Sequence, residues 1–493
     1  MVILRRLSVL LWALLALGDA TVSARPLTWQ QIAEDLRSEL SAASEVISPS
    51  EASYATDFTP RYNIAAPPTY TVAVKPALVS DVQTIVKYAL SNNVSLLATG
   101  GGHGYSTSLS RMLAGINLDL GNFKSIEVDP AAGTMTIGGA VRASEVATAL
   151  QSAGMEITVP QCSCIGFAGA TLGGGIGPYS GLHGPISDSL LSVNMVTGSG
   201  ELMEVSQEQH QDLFYGVKGA GFNYGIATSL TYRIYPATNG GQTMNADMVF
   251  PGALNGSVWE LVKSLAESQP KELSIGLGIR YSPDAGIIIA ANFIYAGPQE
   301  KGTALIQPFL DLQPLDLNIS TVAWKDIPAV ASYGAILEVG CIPGVFYVPN
   351  TVNLYQIDVE NLVRVVDYMN STMAASATLG SGGSVVWQQY ASYGFHLQNQ
   401  ASSAFPHRDA VAFVQVDGVG TSAADLPELE QFGRDVRDML QSGSGRDKLH
   451  AFVHFAHGDE SPAAWYSAEK LPRLAGLKRV HDPSNLFSWY NPV

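Results

Sequence analysis

A single histidine, His103, stands inside a run of glycines in the stretch ATGGGHGYST, residues 98–107. Glycine allows positive φ and lets a ligand approach the main chain closely. The pattern therefore indicates a histidine that is presented to a large ligand, or else a flexible loop that happens to contain one.

Two more glycine clusters follow, CSCIGFAGATLGGGIGPYSGLHG at 162–184 and KGAGFNYGIATSLTYRIYP at 218–236. Exposed backbone N–H groups in such loops can hold a pyrophosphate. The sequence contains no P-loop, no G-x-S-x-G elbow and no H-E-x-x-H, and GAGFNYG lacks the spacing of a Rossmann fingerprint. Three clusters together favour one large ligand wrapped by several loops over turn glycines in a β-rich domain.

The segments around the first cluster predict a β-α-β unit. TYTVAVKPA (69–77) and VSLLATGGGH (94–103) have strand composition, and SDVQTIVKYALSNN (80–93) between them is amphipathic with helical spacing. The glycines then follow the carboxyl end of a strand, where α/β proteins bind ligands. Residues 237–450 mix β-rich pieces with helices, which predicts an antiparallel sheet flanked by helices. The expected fold class is α+β.

Length and charge restrict the function. A chain of 493 residues predicts two or three folding units, and a net charge of −16 argues against nucleic acid or an anionic membrane as partner. The N-terminus has Arg5 and Arg6 before the apolar run 7–17, and small residues at Val22 and Ala24. We interpret 1–24 as a signal peptide rather than a membrane anchor.

Secretion is consistent with four N-x-S/T sites, at Asn93, Asn255, Asn318 and Asn370. The chain has three cysteines, an unusual set for a disulfide scaffold. At least one of them is therefore free or bonded to something other than cysteine.

The order of these pieces resembles the PCMH-type FAD-linked oxidoreductases of the vanillyl-alcohol oxidase superfamily, and within them the fungal berberine bridge enzyme-like proteins. The resemblance covers nearly the whole mature chain. It rests on the segments ATGGGHGYSTSL, GGAVRASEVATAL, CSCIGFAGATLGGGIG, SDSLLSVNMVTGSGEL, DLFYGVKGAGFNYGIATSLTYRI, SSAFPHRDA and WYSAEKLPRLAGLKRVHDPSNLFSWYNPV. It implies an FAD-binding domain at 25–236, a substrate-binding domain at 237–450, and a C-terminal segment, 451–493, that returns to the FAD domain.

The resemblance also implies how FAD is held. His103 occupies the position of the histidine that bonds covalently to the flavin 8α-methyl group. Cys162, by its distance from the following glycines, occupies the position of the cysteine that bonds to flavin C6 in members with two links; the alternative is an unattached thiol. The other positions implied to line the cofactor are Gly100, Gly101, Gly102, Gly104, Tyr105, Gly166, Gly169, Gly173, Gly174, Gly177, Gly221, Asn223, Gly225, Ile226, Asn485 and Tyr490.

The sequence departs from the family where a catalytic base is expected. Counting strand alternation from Arg408 places Val414 and Val416 toward the substrate and Gln415 away from it. The later stretch AFVHFAHGDE (451–460), which we interpret as a strand, has phenylalanines where relatives carry tyrosines.

His454 is the nearest replacement for that base, because imidazole titrates in the right range. The alternative is that His454 only packs against the flavin. We expect no metal site, because strand alternation would separate His454 from His457.

The resemblance implies an enzyme that removes a hydride from a small substrate, with flavin reoxidation by O2 or another acceptor. The apolar residues at 414, 416, 452 and 455 favour an apolar secondary metabolite, through alcohol oxidation or oxidative cyclisation. Ile165 would border the oxygen pocket and hinder O2.

Two alternatives stay open at this point. A carbohydrate oxidase would use an aromatic platform, with the candidates Trp324, Trp387, Tyr390 and Tyr393. A secreted binding protein on a flavin scaffold would have lost turnover together with the tyrosine base.

Overall fold

The computed structural model describes residues 27–493. The predicted signal peptide, 1–24, lies outside the described residues. The helices are α1 (Trp29–Glu39), α2 (Ala52–Asp57), α3 (Val79–Ser91), α4 (Ala143–Ser152), α5 (Phe167–Leu172), α6 (Ser180–His183), α7 (Gln211–Ala220), α8 (Asn255–Ala266), α9 (Gln299–Leu305), α10 (Gln307–Leu310), α11 (Ile327–Val330), α12 (Ala335–Gly340), α13 (Val359–Ala375), α14 (Ala377–Gly382), α15 (Ser392–Phe395), α16 (Leu426–Ser442), α17 (Pro462–Tyr466) and α18 (Leu471–His481).

The first sheet contains the predicted β-α-β unit. Its strands, in the order β1-β2-β4-β3, are β1 (Glu45–Ile47), β2 (Tyr70–Lys75), β3 (Leu96–Thr99) and β4 (Gly115–Asp119). Strands β2 and β3 both pair in parallel with β4, and α3 connects them. Every residue of β4 is buried, as expected for the centre of a parallel sheet. The glycine loop leaves the carboxyl end of β3, as the sequence predicts.

A second, antiparallel sheet follows in the chain. Its order is β5-β6-β10-β8-β9, from β5 (Ile126–Asp129), β6 (Thr134–Gly138), β8 (Leu190–Thr197), β9 (Leu202–Ser206) and β10 (Gly225–Arg233). The short strands β7 (Met155–Glu156) and β11 (Tyr235–Pro236) pair separately. Helices α4, α5 and α7 bury their apolar sides in one core with this sheet.

The third sheet is antiparallel and spans most of the predicted second domain. Its order is β15-β12-β14-β13-β17-β18-β16, from β12 (Gln242–Pro251), β13 (Leu273–Ser282), β14 (Gly286–Tyr295), β15 (Asp316–Ala323), β16 (Phe346–Leu354), β17 (Gly383–Tyr390) and β18 (Ala412–Gly420). Helices α8, α13 and α16 cover one face and share a core with it. The other face borders a large cavity. The α+β class, with an antiparallel sheet flanked by helices, is confirmed.

The C-terminal segment packs back against the glycine loop of the first sheet. Asn491 accepts a hydrogen bond from Ser106 (Oγ to Oδ1, 2.6 Å) and donates one to the Val453 carbonyl (2.9 Å). Lys478 donates to the carbonyl of Asn223 at 2.8 Å. The bonds from Ser106 and to Asn223 connect residues 385 and 255 positions apart along the chain.

The predicted strand at 451–460 is wrong, since the segment forms irregular turns. Its backbone bonds go elsewhere: the Ala451 N–H donates to Ala464, and the Phe455 N–H closes a turn on Phe452. Within residues 27–493, each helix is too short or too polar to cross a lipid bilayer.

Candidate active site

A cavity of about 490 Å³ runs from the three glycine clusters to the open face of the third sheet. One end is lined by the loop after β3 and by α5; the other is lined by β13, β17 and β18. The strand ends and the sheet face thus bring residues from both halves of the chain to one enclosed space, as expected for a ligand site.

His103 lies on the wall of this cavity, and its ring is held on two sides. Tyr62 stacks on the imidazole with the ring centroids 4.3 Å apart and the planes 8° from parallel. The ring nitrogen Nε2 lies 2.8 Å from the carbonyl oxygen of Gly340. A carbonyl oxygen only accepts, so Nε2 carries the proton and Nδ1 keeps its lone pair. Burial lowers the pKa of His103, which keeps the ring neutral.

The three cysteines meet beside this histidine. Cys164 and Cys341 form a disulfide, and Cys162 is free. The prediction of a leftover cysteine is confirmed. The Cys162 sulfur lies 4.0 Å from His103 Nε2, and burial raises the pKa of its thiol. Among the described residues, His103, Cys162 and Cys164 alone group closely enough to hold a metal, but the disulfide uses the Cys164 sulfur.

The predicted flavin fits this end of the cavity, because a glycine in α5 leaves space open on its wall. A Cβ atom added at Gly169, in α5, would meet no atom within 4 Å, although the residue lies on the cavity wall. The predicted cofactor residues that line the cavity are His103, Cys162, Gly100, Gly101, Gly102, Gly104, Tyr105, Gly166, Gly169, Gly225, Ile226 and Tyr490. Ile165 lines it as well.

Six predicted cofactor residues lie outside this lining: Gly173, Gly174, Gly177, Gly221, Asn223 and Asn485. The structure gives the first four a packing reason, since a Cβ would collide with His454, Phe405, Val159 or Leu172 respectively.

Two asparagines among those six also have local roles. Asn223 donates to Ala220 and Tyr466 and accepts from Val493, so its amide is fully used. Asn485 takes positive φ in a turn after α18. Both positions therefore shape the backbone around the site, and their predicted contact with the cofactor stays a prediction.

Strand β18 presents the opposite face to the one that the sequence predicts. Val414 and Val416 are fully buried in the core under the helices, and Gln415 and Asp417 line the cavity. The predicted alternation starts at Arg408, but β18 begins only at Ala412, after a turn that does not keep the phase. The cavity side of this strand carries the polar side chains of Gln415 and Asp417, followed by Val419.

The polar side chains on the sheet face form one hydrogen-bonded network. The Gln415 amide donates to the hydroxyl oxygens of Tyr105 (3.0 Å) and Tyr347 (3.4 Å). Gln388 donates to the Gln415 carbonyl oxygen at 3.4 Å. The Tyr347 hydroxyl donates to the Asp417 carboxylate. Cross-strand pairing places these residues next to one another, because β17 and β16 are the two neighbours of β18.

Asp417 is the titratable group in this network that is suited to accept a proton. Burial raises its pKa to about 6, against the opposing effects of the Tyr347 hydrogen bond and the Arg280 charge. Burial also raises the pKa of Tyr347 well above its usual value, so the phenol stays protonated. The pair therefore offers an ionised carboxylate, that of Asp417, which accepts a hydrogen bond from the Tyr347 hydroxyl.

His454 lines the cavity but is a weak base. Its Nε2 lies 2.9 Å from the Ala170 carbonyl oxygen, which fixes that nitrogen as a donor. Burial lowers its pKa to about 4. These contacts favour the packing role that the sequence leaves open over the role of general base.

The comparisons with known proteins agree with this geometry. Residues 70–206 match the family described as an FAD binding domain. The FAD-linked oxidoreductase tazL of Aspergillus terreus is 35% identical over 455 residues, which cover 92% of each chain. The FAD-linked oxidoreductase azaL of Aspergillus niger is 36% identical, with 94% of this chain and 98% of azaL covered.

This chain is an FAD-linked oxidoreductase. Solved structures share its fold. BBE-like 1 from Physcomitrella patens superposes with a TM-score of 0.81 at 21% identity, covering 94% of the oxidoreductase and 98% of that chain. A chitooligosaccharide oxidase superposes with a TM-score of 0.78 at 18% identity, covering 92% and 97%.

The aromatic platform predicted for a carbohydrate is wrong for this oxidoreductase. Trp324 and Trp387 are fully buried, and the Trp387 ring packs on Trp259 with the centroids 5.1 Å apart. Tyr390 is buried and donates to Gln388. Tyr393 is half exposed beside Lys271. The four do not form one surface at the cavity.

Sequence reasoning missed Tyr62, Tyr347 and Asp417 in the oxidoreductase. A usable signal was present for Asp417: in VAFVQVDGVG, polar residues recur at 415 and 417, opposite valines at 414 and 416. That alternation is typical of a strand with one face in a core. Tyr62 and Tyr347 carry no such signal, because only the fold brings them to His103 and Asp417.

Proposed function

We propose that this FAD-linked oxidoreductase oxidises an alcohol of a small metabolite, with the Asp417–Tyr347 pair accepting the hydroxyl proton. The observation that carries the proposal is the Tyr347–Asp417 hydrogen bond on the wall of the cavity that His103 also lines. A bound FAD supplies the two-electron acceptor for the hydride. O2 or another acceptor then regenerates it.

The proton path follows from the donors and acceptors present. Tyr347 donates to Asp417 and accepts from Gln415, so its oxygen keeps one lone pair to accept a hydrogen bond from a substrate hydroxyl. As the hydroxyl ionises, its proton passes to Tyr347 and the phenolic proton passes to Asp417. The Gln415 amide holds the phenol oxygens of Tyr105 and Tyr347 in place.

The same cavity supports a metabolite with an apolar body and a hydroxylated end. Phe452 and Phe455 supply an apolar wall, while Gln388, Gln415 and Asp417 supply the polar one. The preference for a wholly apolar substrate relied partly on Val414 and Val416, which face away. Oxidative ring closure of a secondary metabolite is a second outcome of the same hydride removal.

Anaerobic mixing with a panel of aromatic alcohols, polyketide-type alcohols and oligosaccharides tests this proposal. Loss of flavin absorbance with a hydroxylated aromatic substrate, and its slowing in Asp417→Asn, would support it. Reduction by oligosaccharides alone would favour a carbohydrate oxidase. A protein that binds but stays yellow with each compound would be a flavin-scaffold binding protein.

We further propose that FAD is attached covalently through His103 and also through Cys162. The free Nδ1 lone pair of His103 and the unpaired thiol of Cys162, both on the cavity wall, support this. Gel fluorescence after denaturation, with peptide mapping of the flavin-bearing residue, tests each link separately.

The proposed location is the secretory-pathway lumen or the extracellular space, without a stable membrane anchor. The Cys164–Cys341 disulfide supports an oxidising compartment. N-glycans are proposed at Asn93, Asn255, Asn318 and Asn370; Asn255 is partly buried and donates to Gly252, and the other three are exposed. The mass lost on glycosidase treatment of protein from a fungal host tests all four.

A further inference from the structure

One segment of the second half of the chain crosses the cavity beside His103. We call residues 331–345 the strap; it contains α12 and contributes Ser332, Ala335, Ile336 and Gly340 to the cavity wall. Its start is fixed where the Ser332 N–H donates to Asp247 (2.8 Å). Its end is fixed where the N–H groups of Gly344 and Val345 donate to Tyr62.

Among the side chains that the structure describes, a disulfide attaches the middle of the strap next to the histidine. Cys341 is disulfide-bonded to Cys164, and the preceding residue, Gly340, accepts the hydrogen bond from His103. The Cys164 sulfur itself lies 3.3 Å from the Gly340 carbonyl oxygen. The disulfide and the histidine therefore contact the same peptide group.

We infer that the Cys341 tether positions His103 for covalent attachment of the flavin. The tether holds the Gly340 carbonyl within hydrogen-bond distance of His103 Nε2. Because Nε2 then carries the proton of the neutral ring, the lone pair stays on Nδ1, and Nδ1 is the nitrogen that can act as nucleophile. This inference rests on the proposed attachment through His103. Cys341 is thus a positioning residue that acts through Gly340.

Attachment joins Nδ1 to the methyl carbon of the flavin ring. The methyl group loses one hydrogen as a proton to solvent, the electron pair of that C–H bond stays in the flavin ring, and the Nδ1 lone pair forms the new C–N bond. The imidazole keeps its Nε2 proton and becomes an imidazolium. O2 then takes the electron pair from the flavin together with two protons from solvent and leaves as hydrogen peroxide. The tether takes no part in this exchange of electrons; it sets which nitrogen is free and where it points.

The third cysteine provides a rescue test. Cys162 Sγ lies 3.2 Å from Cys164 Sγ and 3.4 Å from Cys341 Sγ. In Cys164→Ser, Cys162 can therefore pair with Cys341 during oxidative folding and restore the tether. In Cys341→Ser no cysteine remains on the strap.

The experiment measures two quantities on wild type, Cys341→Ser and Cys164→Ser: total flavin in the native protein, and flavin on the His103 peptide after acid precipitation. Non-reducing peptide mapping reports the bridge. We expect Cys341→Ser to keep its total flavin but to lose roughly tenfold or more of the attached fraction. Cys164→Ser, with a 162–341 bridge, should keep wild-type attachment at His103.

A variant that retains all three cysteines covers the case in which Cys341→Ser fails to fold. A Cβ at Gly340 would lie 2.9 Å from Cys162 Sγ, so Gly340→Ala should displace the carbonyl and lower attachment. Gly340→Ala with Cys162→Ala removes the collision and should restore attachment at His103.

Equal attachment in Cys341→Ser and wild type would overturn the inference, as would loss in a Cys164→Ser protein shown to carry the 162–341 bridge. A parallel loss of total and attached flavin would also overturn it, since that marks a merely structural disulfide. Absence of attached flavin in wild type is a separate failure, because it removes the proposed His103 link itself.

Discussion

At the scale of single residues, the proposed reaction assigns its acid–base chemistry to Asp417 and Tyr347, and the pKa of Asp417 makes this assignment testable. The carboxylate accepts a proton only when ionised, and burial raises its pKa to about 6. The rate of flavin reduction by substrate should therefore fall as pH drops through about 6. Asp417→Asn should lower the rate by roughly 10²-fold or more and should remove the dependence on pH near 6. Stopped-flow reduction across pH 5–8 measures both.

His454→Asn is the control for this prediction. The pKa of His454 is lowered to about 4 and its Nε2 bonds a carbonyl, so the fall in rate near pH 6 should persist in the variant. If the fall in rate near pH 6 disappeared in His454→Asn but persisted in Asp417→Asn, the base would be His454 rather than Asp417.

A single glycine reports whether the flavin occupies the glycine end of the cavity. Gly169 faces open space on the cavity wall, so Gly169→Ala should reduce flavin bound per protein without lowering the unfolding temperature. Gly256→Ala is the matched control: it also lies in a helix, its Cβ would meet Val363 at an ordinary 3.8 Å, and flavin content should not change. Full flavin content in Gly169→Ala would contradict the placement.

At the scale of elements, the orientation of β18 decides which side chains meet the substrate. Gln415→Leu removes the donor to Tyr105 and Tyr347 and should slow substrate reduction by about tenfold or more. Val416→Ala should cost about 2 kcal/mol of unfolding free energy, because it leaves a gap under the helices, and should not change the kinetics. Flavin-reduction kinetics and urea unfolding of both variants test this orientation. If β18 faced the other way, Val416→Ala would slow flavin reduction and Gln415→Leu would change the unfolding free energy.

Elements were predictable where a local pattern determines them. The spacing in 80–93 predicts α3, and the glycines after β3 predict the ligand end of the first sheet, because both signals lie within a few residues. The phase of β18 was not predictable from a local pattern, because it depends on the residue at which the preceding turn ends and the strand begins. AFVHFAHGDE begins with apolar residues typical of a strand, but its backbone bonds go to α17, to Thr107 and within the segment itself.

For the whole molecule, one buried ion pair joins the two halves of the chain. Arg408 donates through both terminal nitrogens to Asp188, at 2.6 and 2.7 Å, with both side chains almost inaccessible. Arg408→Ala leaves a buried carboxylate unpaired and should cost about 3–5 kcal/mol of unfolding free energy. The exposed Arg364–Glu360 pair is the control, and Arg364→Ala should cost about 1 kcal/mol or less.

Guanidinium unfolding at matched flavin content measures both variants. Equal losses of unfolding free energy in the two variants would mean that the buried Arg408–Asp188 pair does not stabilise the contact between the two halves. The resemblance of ordered segments predicted the family, because each of those segments is contiguous in the sequence; the covalent link at His103 stays a prediction. The Tyr347–Asp417 pair, 70 residues apart, needed the sheet order to be known.

The most direct test of the account is acid precipitation of wild type, His103→Ala, Cys162→Ala and the double variant, followed by visible spectra and intact mass. The account predicts flavin in the wild-type precipitate, retained in each single variant through the remaining link and absent only from the double variant. Release of all flavin from wild type, or a protein that never contained any, would contradict it.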